Sequence, residues 1–484
     1  MISFFKKHPS WFASAILLMA ILFAYIITMP PDILPGDSGE FQALIPVGGV
    51  LHPSGYPLYQ LLGKIETTLM PIGTIAWRVT MLSAIFATAA AAATMLLLRE
   101  CQLDTPLTAL GGAVVGLMPM LWRQAIIAEV YTLAVLLLLL VWWAGCRLYH
   151  GKNGLMLLAL LAGLAMSHHL ILTAALPWPF LALWRRQDER RPQNVLAAIA
   201  LFLTPFSLYG LTFFHARQWM TVFPGKTFGF PDAVVRGYVS PFWLAGFFNY
   251  VTGGAYTASD SGLWQLSDFN LREMAQLIFR WSNANITWLG MMLALIGVAW
   301  MLRRQRFLLV MTLPTFLIVA LFSARYHLVF HEETGFFCVA LTTMDLWIIF
   351  GAHAIWERQT GKARLFPIAL LILLVTLEVF AFREHPTYWP EMQPYGPTPR
   401  TWATTALTTA EPDSIIFGDW GYITPLRYMQ FVEHMREDVM VVHAPLGDAA
   451  FMEELLQDTE AIGKKAYLLQ PSPEHGPILR PAEP

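Results

Sequence analysis

The chain has 484 residues, of which 56% are hydrophobic and 13% charged, with a formal net charge of −2. Soluble globules carry about a quarter charged residues, so this composition excludes an ordinary water-soluble enzyme, and the near-zero charge excludes a basic field for nucleic acid. The three cysteines, Cys101, Cys146 and Cys338, form neither a disulfide framework nor a metal-ligand spacing.

The N-terminal MISFFKKHPS leads into an apolar run from Trp11 to Met29. Lys6 and Lys7 resemble a signal-peptide n-region, but the run is too long and lacks a small-residue cleavage site. It reads as an uncleaved first transmembrane helix that starts in the cytoplasm. PPDILPGDSGEF, residues 30–41, follows, and places Asp37 and Glu40 at a membrane surface in a stretch stiffened by three prolines. Rigid placement suits a carboxylate that takes a proton from a hydroxyl, and the pair also suits a divalent ion. For Glu40 the competing reading is helix capping beside Ser38.

HPSGYPLY, residues 52–59, comes next. Pro53 favours an extended His52, Gly55 permits a tight turn, and Tyr56–Pro57 is a candidate cis bond. Alone, these residues read as an interfacial turn; beside the two carboxylates, they read as an imidazole and a phenol presented to a site.

Further apolar runs fall near 79–98, 106–122, 130–147, 154–167, 170–184, 194–214, 286–302, 307–323, 336–355 and 365–382. The total is about eleven crossings, with the C-terminus opposite the N-terminus. RRQDERR at 185–191, RRQR at 303–306 and ERQTGKAR at 357–364 then fall on the cytoplasmic side. Three segments face outward: 30–78, with amphipathic stretches suited to interfacial helices; the aromatic 215–285; and the tail from 383. The expected fold is an all-α polytopic membrane body, 1–382, with a small α/β extracytoplasmic tail, 383–484.

Polar groups mark the outer turns. WRQAIIAEVYTL, 122–133, carries Arg123, Glu129 and Tyr131; MSHHL, 166–170, carries His168 and His169; ARYHLVFHEE, 324–333, carries Arg325, His327, His331, Glu332 and Glu333. Each alone reads as a solvated loop, and together they ring one surface with acids, imidazoles and guanidinium groups. Arg123, Arg325 or a histidine suits a phosphate. Adjacent His168 and His169 lack a metal-helix spacing, so zinc is not expected. Asp345, in the middle of a span, is either functional or hydrogen-bonded to Thr342, Thr343 or a neighbouring helix. With His353 and Glu378 it offers a proton relay for the rival reading, a transporter, although no inverted repeat is visible.

In the tail, DSIIFGDW reads as a strand and TPLRYMQFVEHMRE as a helix, with Thr424 as N-cap and Pro425 as its first residue. DVMVVHA is a second strand, 448–462 a second helix and KAYLLQ a third strand, without a Gly-rich phosphate fingerprint.

PGDSGEFQ, HPSGYPLYQLLG, WRVTMLSAIFA, AEVYTL and GLAMSHHL, in this order and spacing, resemble a polytopic membrane family with a GDSGE…HPxGYPL signature. That family includes a vertebrate protein O-mannosyltransferase and is classed with the GT-C glycosyltransferases. GDWGYITPLRYMQFVEHMREDVMVV is similar to the family's C-terminal region. The resemblance covers about 30–175 and 412–443; between them only hydropathy matches. It implies a GT-C fold, a catalytic acid in the first outer loop, a polyprenyl- or dolichyl-phosphate sugar donor, and inversion at the anomeric centre. By resemblance, Asp37 matches the first-loop acid, Glu40 the second, and His52 and Tyr56 the following loop. Arg123, Glu129, Tyr131, His168, His169, Arg325, His331 and Glu332 are the expected donor- and acceptor-binding groups. The implied partners are the lipid-linked sugar, a protein, lipid or glycan acceptor, and the bilayer. Mannose is implied by one relative; no cofactor is expected, and a divalent cation stays open. The expected location is a bacterial inner membrane with the site facing the periplasm.

Overall fold

A computed structural model of the chain describes residues 9–213, 250–252, 270–330, 335–384, 398–444, 463–470 and 477–482, with 452–453, 456–457 and 459–460. The first helix, α1, spans Pro9–Thr28. Two short helices, α2 (Gly36–Leu44) and α3 (Pro57–Leu69), occupy the first loop. They lead to α4 (Ile75–Glu100), whose N-cap Thr74 accepts the Trp77 N–H at 3.1 Å. α5 (Thr105–Leu117) and α6 (Pro119–Ala125) form a pair bent by 63°. Pro119 explains the bend, because the residue before a proline avoids helical backbone and Met118 has ψ 126°.

α7 (Tyr131–Tyr149), α8 (Leu155–His168) and α9 (Pro192–Leu203) follow. Then come α10 (Leu271–Arg304), α11 (Arg306–Phe330), α12 (Phe337–Arg358) and α13 (Leu365–Glu384). Seven helices are long and apolar enough to cross a membrane, or eight if the bent pair is one span. The shorter apolar helices Phe12–Thr28, Leu155–His168 and Leu170–Trp184 lie where the sequence placed further crossings. The protein is an integral multi-pass membrane protein.

α10 departs from expectation: its first fifteen residues were read as outer loop. Asn270 caps it by accepting the Glu273 N–H at 3.2 Å, and a break at Thr287 (φ 59°) separates this charged lead-in from the apolar part. Most of the aromatic segment 215–285 lies outside the described residues.

α12 is buried along nearly all its length and crosses α10 at a pair of glycines. A Cβ on Gly297 would lie 1.8 Å from the Trp347 carbonyl oxygen, and one on Gly351 2.0 Å from that of Leu293. Membrane helices associate through such close approach rather than a hydrophobic drive. Gly297→Val is therefore expected to cost more than the ~1–3 kcal/mol of ordinary overpacking. It should abolish the monodisperse peak of detergent-extracted protein; wild-type yield would contradict the crossing.

The tail starts with α14 (Pro399–Thr409) and continues as β1 (Ile415–Gly418), α15 (Trp420–Phe431), β2 (Met440–His443), β3 (Ala466–Gln470) and β4 (Ile478–Pro481). The sheet order is β2-β1-β3-β4, with β1 parallel to both neighbours and β4 antiparallel to β3. β1 is central and wholly buried, hence its unbroken IIFG. The edge strand β4 was not predicted; its ILRP is too short and too polar at one end to alternate clearly, and its Pro481 is tolerated at an edge. The expected second tail helix falls largely outside the described residues.

The predicted cap of α15 is wrong. Asp419, not Thr424, is the N-cap, and its carbonyl accepts the N–H groups of Tyr422 and Ile423 at 2.9 and 3.1 Å. The helix begins four residues before Thr424, Pro425 lies inside it, and one backbone bond is forgone while Ile423 and Leu426 are buried.

Candidate active site

The first loop is fixed from beneath by Gln42. Its Oε1 accepts the Leu34 N–H at 2.8 Å, and its Nε2 donates to the Ala76 carbonyl and Thr80 hydroxyl at 3.2 and 3.0 Å. Ser38 donates to the Ala128 carbonyl at 3.1 Å. α2 and the chain that leads into it are thus tied to both α4 and the turn before α7, and Asp37, in the first turn of α2, is partly exposed.

Glu40 does not cap a helix. Its side chain is fully buried: Oε1 accepts the His52 backbone N–H at 2.8 Å and Oε2 meets His52 Nδ1 at 2.5 Å. This bidentate contact joins the two halves of the signature, which explains why PGDSGEF and HPSGYPLY occur together. The second half is held by a turn in which the Gly55 N–H donates to the His52 carbonyl at 2.8 Å. Gly55 has φ 88°, and a Cβ there would lie 2.5 Å from the Tyr250 hydroxyl, which donates to the Leu51 carbonyl at 2.6 Å. The candidate Tyr56–Pro57 bond is not cis; among the described residues the cis peptide joins Pro53 and Ser54.

Burial alone would lower the pKa of His52, but the carboxylates of Glu40, Asp37 and Glu129 overcome it and lift the imidazole to about 10. In an unfolded chain it titrates near ~6.5. The ion pair therefore supports the fold fully below that pH, and its support is lost as pH rises through about 10. The thermal midpoint of the solubilised protein is expected to fall between pH 7 and 10, and His52→Gln to flatten that fall. A wild-type slope in the variant would assign the titration elsewhere.

Glu129 sits in the turn between α6 and α7, its backbone paired both ways with the Ser83 hydroxyl at 3.0 Å. Burial first, and then the charge of Asp37, raise its carboxyl to about 8. It therefore holds its proton at neutral pH and offers a hydrogen-bond donor beside two ionised groups.

Rings connect this cluster to the histidine pair. Tyr56 lies 5.1 Å from His52 and 5.5 Å from His169, while Tyr131 lies 5.6 Å from His169 and 5.5 Å from Phe336, between centroids. His168 Nε2–H donates to the Val130 carbonyl at 2.9 Å, and His169 Nδ1 accepts the Ile171 N–H at 3.2 Å. The hydrogen bond at His169 Nδ1 leaves its proton on Nε2, so this imidazole is a neutral donor.

The predicted residues thus divide. Asp37, Glu40, His52, Tyr56, Glu129, Tyr131, His168 and His169 gather in one region. Arg123 lies in the last turn of α6, within electrostatic reach of Cys338 on α12. Arg325 is buried in α11. His331 and Glu332 lie outside the described residues.

Asp37, Glu40 and His52 each place a donor atom within 4.8 Å of the others. They do not fit a metal well, because Glu40 spends both oxygens on His52 and the His52 Nδ1 that faces them is spent in return. Asp37 Oδ1 accepts a hydrogen bond from the Trp420 indole N–H at 2.7 Å. Sequence reading missed Trp420, Gln42 and Ser83. Each lies in a phrase that resembled the family: Trp420 in GDWGYITPLRYMQFVEHMREDVMVV, Gln42 in PGDSGEFQ and Ser83 in WRVTMLSAIFA.

Asp345 is not bonded to its neighbouring threonines: Thr342 and Thr343 donate to the Cys338 and Ala340 carbonyls of their own helix. The four carboxylate oxygens of Asp345 and Glu378 have no hydrogen-bond partner among the described residues, and His353 faces Glu357 at 3.5 Å. No hydrogen bond among the described residues joins the three residues of the relay, although Asp345 and Glu378 lie within electrostatic reach of each other.

Residues 37–192 match the family model of the protein O-mannosyl-transferase TMEM260 N-terminal domain. A 122-residue stretch is 33% identical to Protein O-mannosyl-transferase TMEM260 of Mus musculus, covering 25% of this chain and 17% of that protein. A 145-residue stretch is 26% identical to Protein O-mannosyl-transferase tmem260 of Dictyostelium discoideum, covering 28% and 18%. Residues 37–192 are related in sequence to the protein O-mannosyl-transferases. The chain aligns with less than a fifth of the length of these curated relatives. The fold matches over nearly the whole chain: the Archaeoglobus fulgidus oligosaccharyltransferase in the apo form has a TM-score of 0.53 at 12% identity, over 96% of this chain and 70% of that one. ArnT from Cupriavidus metallidurans bound to undecaprenyl phosphate has a TM-score of 0.50 at 12% identity, over 94% and 92%. The GT-C architecture is thus present in a chain whose relatedness in sequence centres on the first loop and the helices after it.

Proposed function

We propose that the chain is a membrane glycosyltransferase that moves a sugar from a polyprenyl-phosphate donor to a hydroxyl acceptor at the extracytoplasmic surface, with inversion. The transmembrane body, 1–382, carries the reacting groups, and the tail, 383–484, closes on them. The observation that carries the reading is the partly exposed Asp37 carboxylate, fixed on the first loop of a GT-C fold beside the buried Glu40–His52 pair.

Asp37 takes the proton of the acceptor hydroxyl as its oxygen bonds to the anomeric carbon. The bond from that carbon to the phosphate oxygen breaks, and its electron pair leaves with the polyprenyl phosphate. Glu40 and His52 hold the loop. Glu129, protonated at neutral pH, and His169 donate hydrogen bonds to sugar or acceptor hydroxyls, and Tyr56 and Tyr131 flank them. The cation of the first-loop cluster, His52, is spent on Glu40, so the leaving phosphate is assigned to Arg123 and Arg325. His331 and Glu332 are retained as donor- or acceptor-binding groups on sequence grounds. The ArnT structure with undecaprenyl phosphate supports the donor class, and the O-mannosyltransferase relatives support a protein acceptor and mannose as the first sugar to try.

The test is transfer in isolated membranes from a panel of radiolabelled polyprenyl-phosphate sugars, beginning with mannose. Label entering a protein, lipid or glycan fraction is expected. Label carried across sealed vesicles without transfer would overturn the reading and favour a transporter.

A further inference from the structure

We propose that Trp420, in the C-terminal tail, is a positioning residue for the first-loop acid: its indole N–H holds Asp37 Oδ1 and leaves the other carboxylate oxygen to meet the acceptor. The inference rests on the glycosyltransferase reading and deepens it.

The 2.7 Å bond between Trp420 Nε1 and Asp37 Oδ1 joins residues 383 positions apart. It is the only hydrogen bond of the Asp37 side chain among the described residues. A short carboxylate on a partly exposed loop otherwise samples several rotamers, and a base must point at one proton. The indole itself is not free to wander. Asp419 starts α15 immediately before it, and the His443 ring stands edge-on at 5.5 Å.

The helix that carries Trp420 and the preceding α14 are in turn docked on the first loop at three further points. Gly39 of α2 approaches Thr424 so closely that a Cβ on Gly39 would lie 2.6 Å from the Thr424 hydroxyl. Tyr428 accepts the Ala76 backbone N–H at 3.2 Å. Arg400 reaches Asp32 at 2.8 Å with one guanidinium nitrogen and Glu433 at 2.7 Å with another. The tail is therefore fixed to the segment that bears the acid, and the hydrogen bond that reaches a reacting group comes from Trp420. An indole used only as an apolar wedge gains nothing from pointing its N–H at a carboxylate; a donor at this point fixes an anion without adding a titrating group.

Trp420→Phe removes the N–H and keeps a ring against His443. In the full chain at matched folded levels, it is expected to lower kcat about 10- to 100-fold, with the donor KM within about twofold. Arg400→Ala loosens the tail away from Asp37, and should lower kcat less than Trp420→Phe for the same fall in thermal midpoint. A cycle of Trp420→Phe with Asp37→Ala, read as the detergent thermal midpoint, should show the double variant no less stable than the weaker single.

Wild-type kcat in Trp420→Phe, additive thermal losses, or an equal kcat loss per degree in Arg400→Ala would each overturn the proposal. If wild type transfers no sugar from any donor, the glycosyltransferase reading fails. A non-additive cycle in that case would leave Trp420 a structural tie, and the positioning role falls as well.

Discussion

Asp37→Asn is expected to lower kcat for sugar transfer by about 10²- to 10⁴-fold, the range set by loss of a positioned general base. The amide has the size of the carboxylate and still offers an oxygen to the Trp420 indole, so the tail stays docked and donor affinity is retained. What disappears is the capacity to take a proton. The effect should therefore appear in kcat and not in donor KM, and folded yield should be that of the wild type. A loss confined to KM would make Asp37 a substrate-binding group. Unchanged transfer would move the base to Glu40, whose carboxylate lies within 4.8 Å of Asp37, or to another group.

The second large effect is structural. Glu40→Gln leaves His52, which is only 17% exposed in its side chain, facing an amide in place of a carboxylate at 2.5 Å. Breaking one side of a buried ion pair costs about 3–5 kcal/mol, because the remaining charge is stranded. The thermal midpoint should fall sharply, and transfer should fall with it, since the turn from His52 to Tyr56 hangs on this contact. Adding His52→Gln should restore much of the stability by removing the stranded charge, while transfer stays low. A single variant as stable as the wild type would show that the pair is not ionised.

The contrast between these variants reflects how the signature works. Its two acids, three residues apart, have opposite environments: Asp37 is partly exposed with one oxygen available, and Glu40 is sealed behind it with both oxygens used. The sequence presented them as near-equals. Nothing in GDSGE indicates which side chain turns inward; that depends on His52 arriving twelve residues later, brought by a turn that Gly55 makes possible.

The apolar runs were legible because bilayer thickness imposes a length that periodicity is not needed to detect. The lead-in of α10 was not, because Arg272, Glu273 and Arg280 make it look like loop while Met274 and Ser282 turn toward the core. In the tail, Thr424–Pro425 imitates a helix start, and burial of Ile423 and Leu426 outweighs it. Trp420 was invisible as a site residue for a different reason: its partner lies 383 residues away, and no local pattern encodes such a contact.

The most direct measurement is the anomeric configuration of the product formed from a donor of known configuration, read from the coupling of the anomeric proton by NMR. A base at Asp37 activates the acceptor for attack opposite the leaving phosphate, so the account predicts a single inverted product. A retained product would mean that a carboxylate attacks the sugar as a nucleophile, and would contradict the assignment of Asp37 as base.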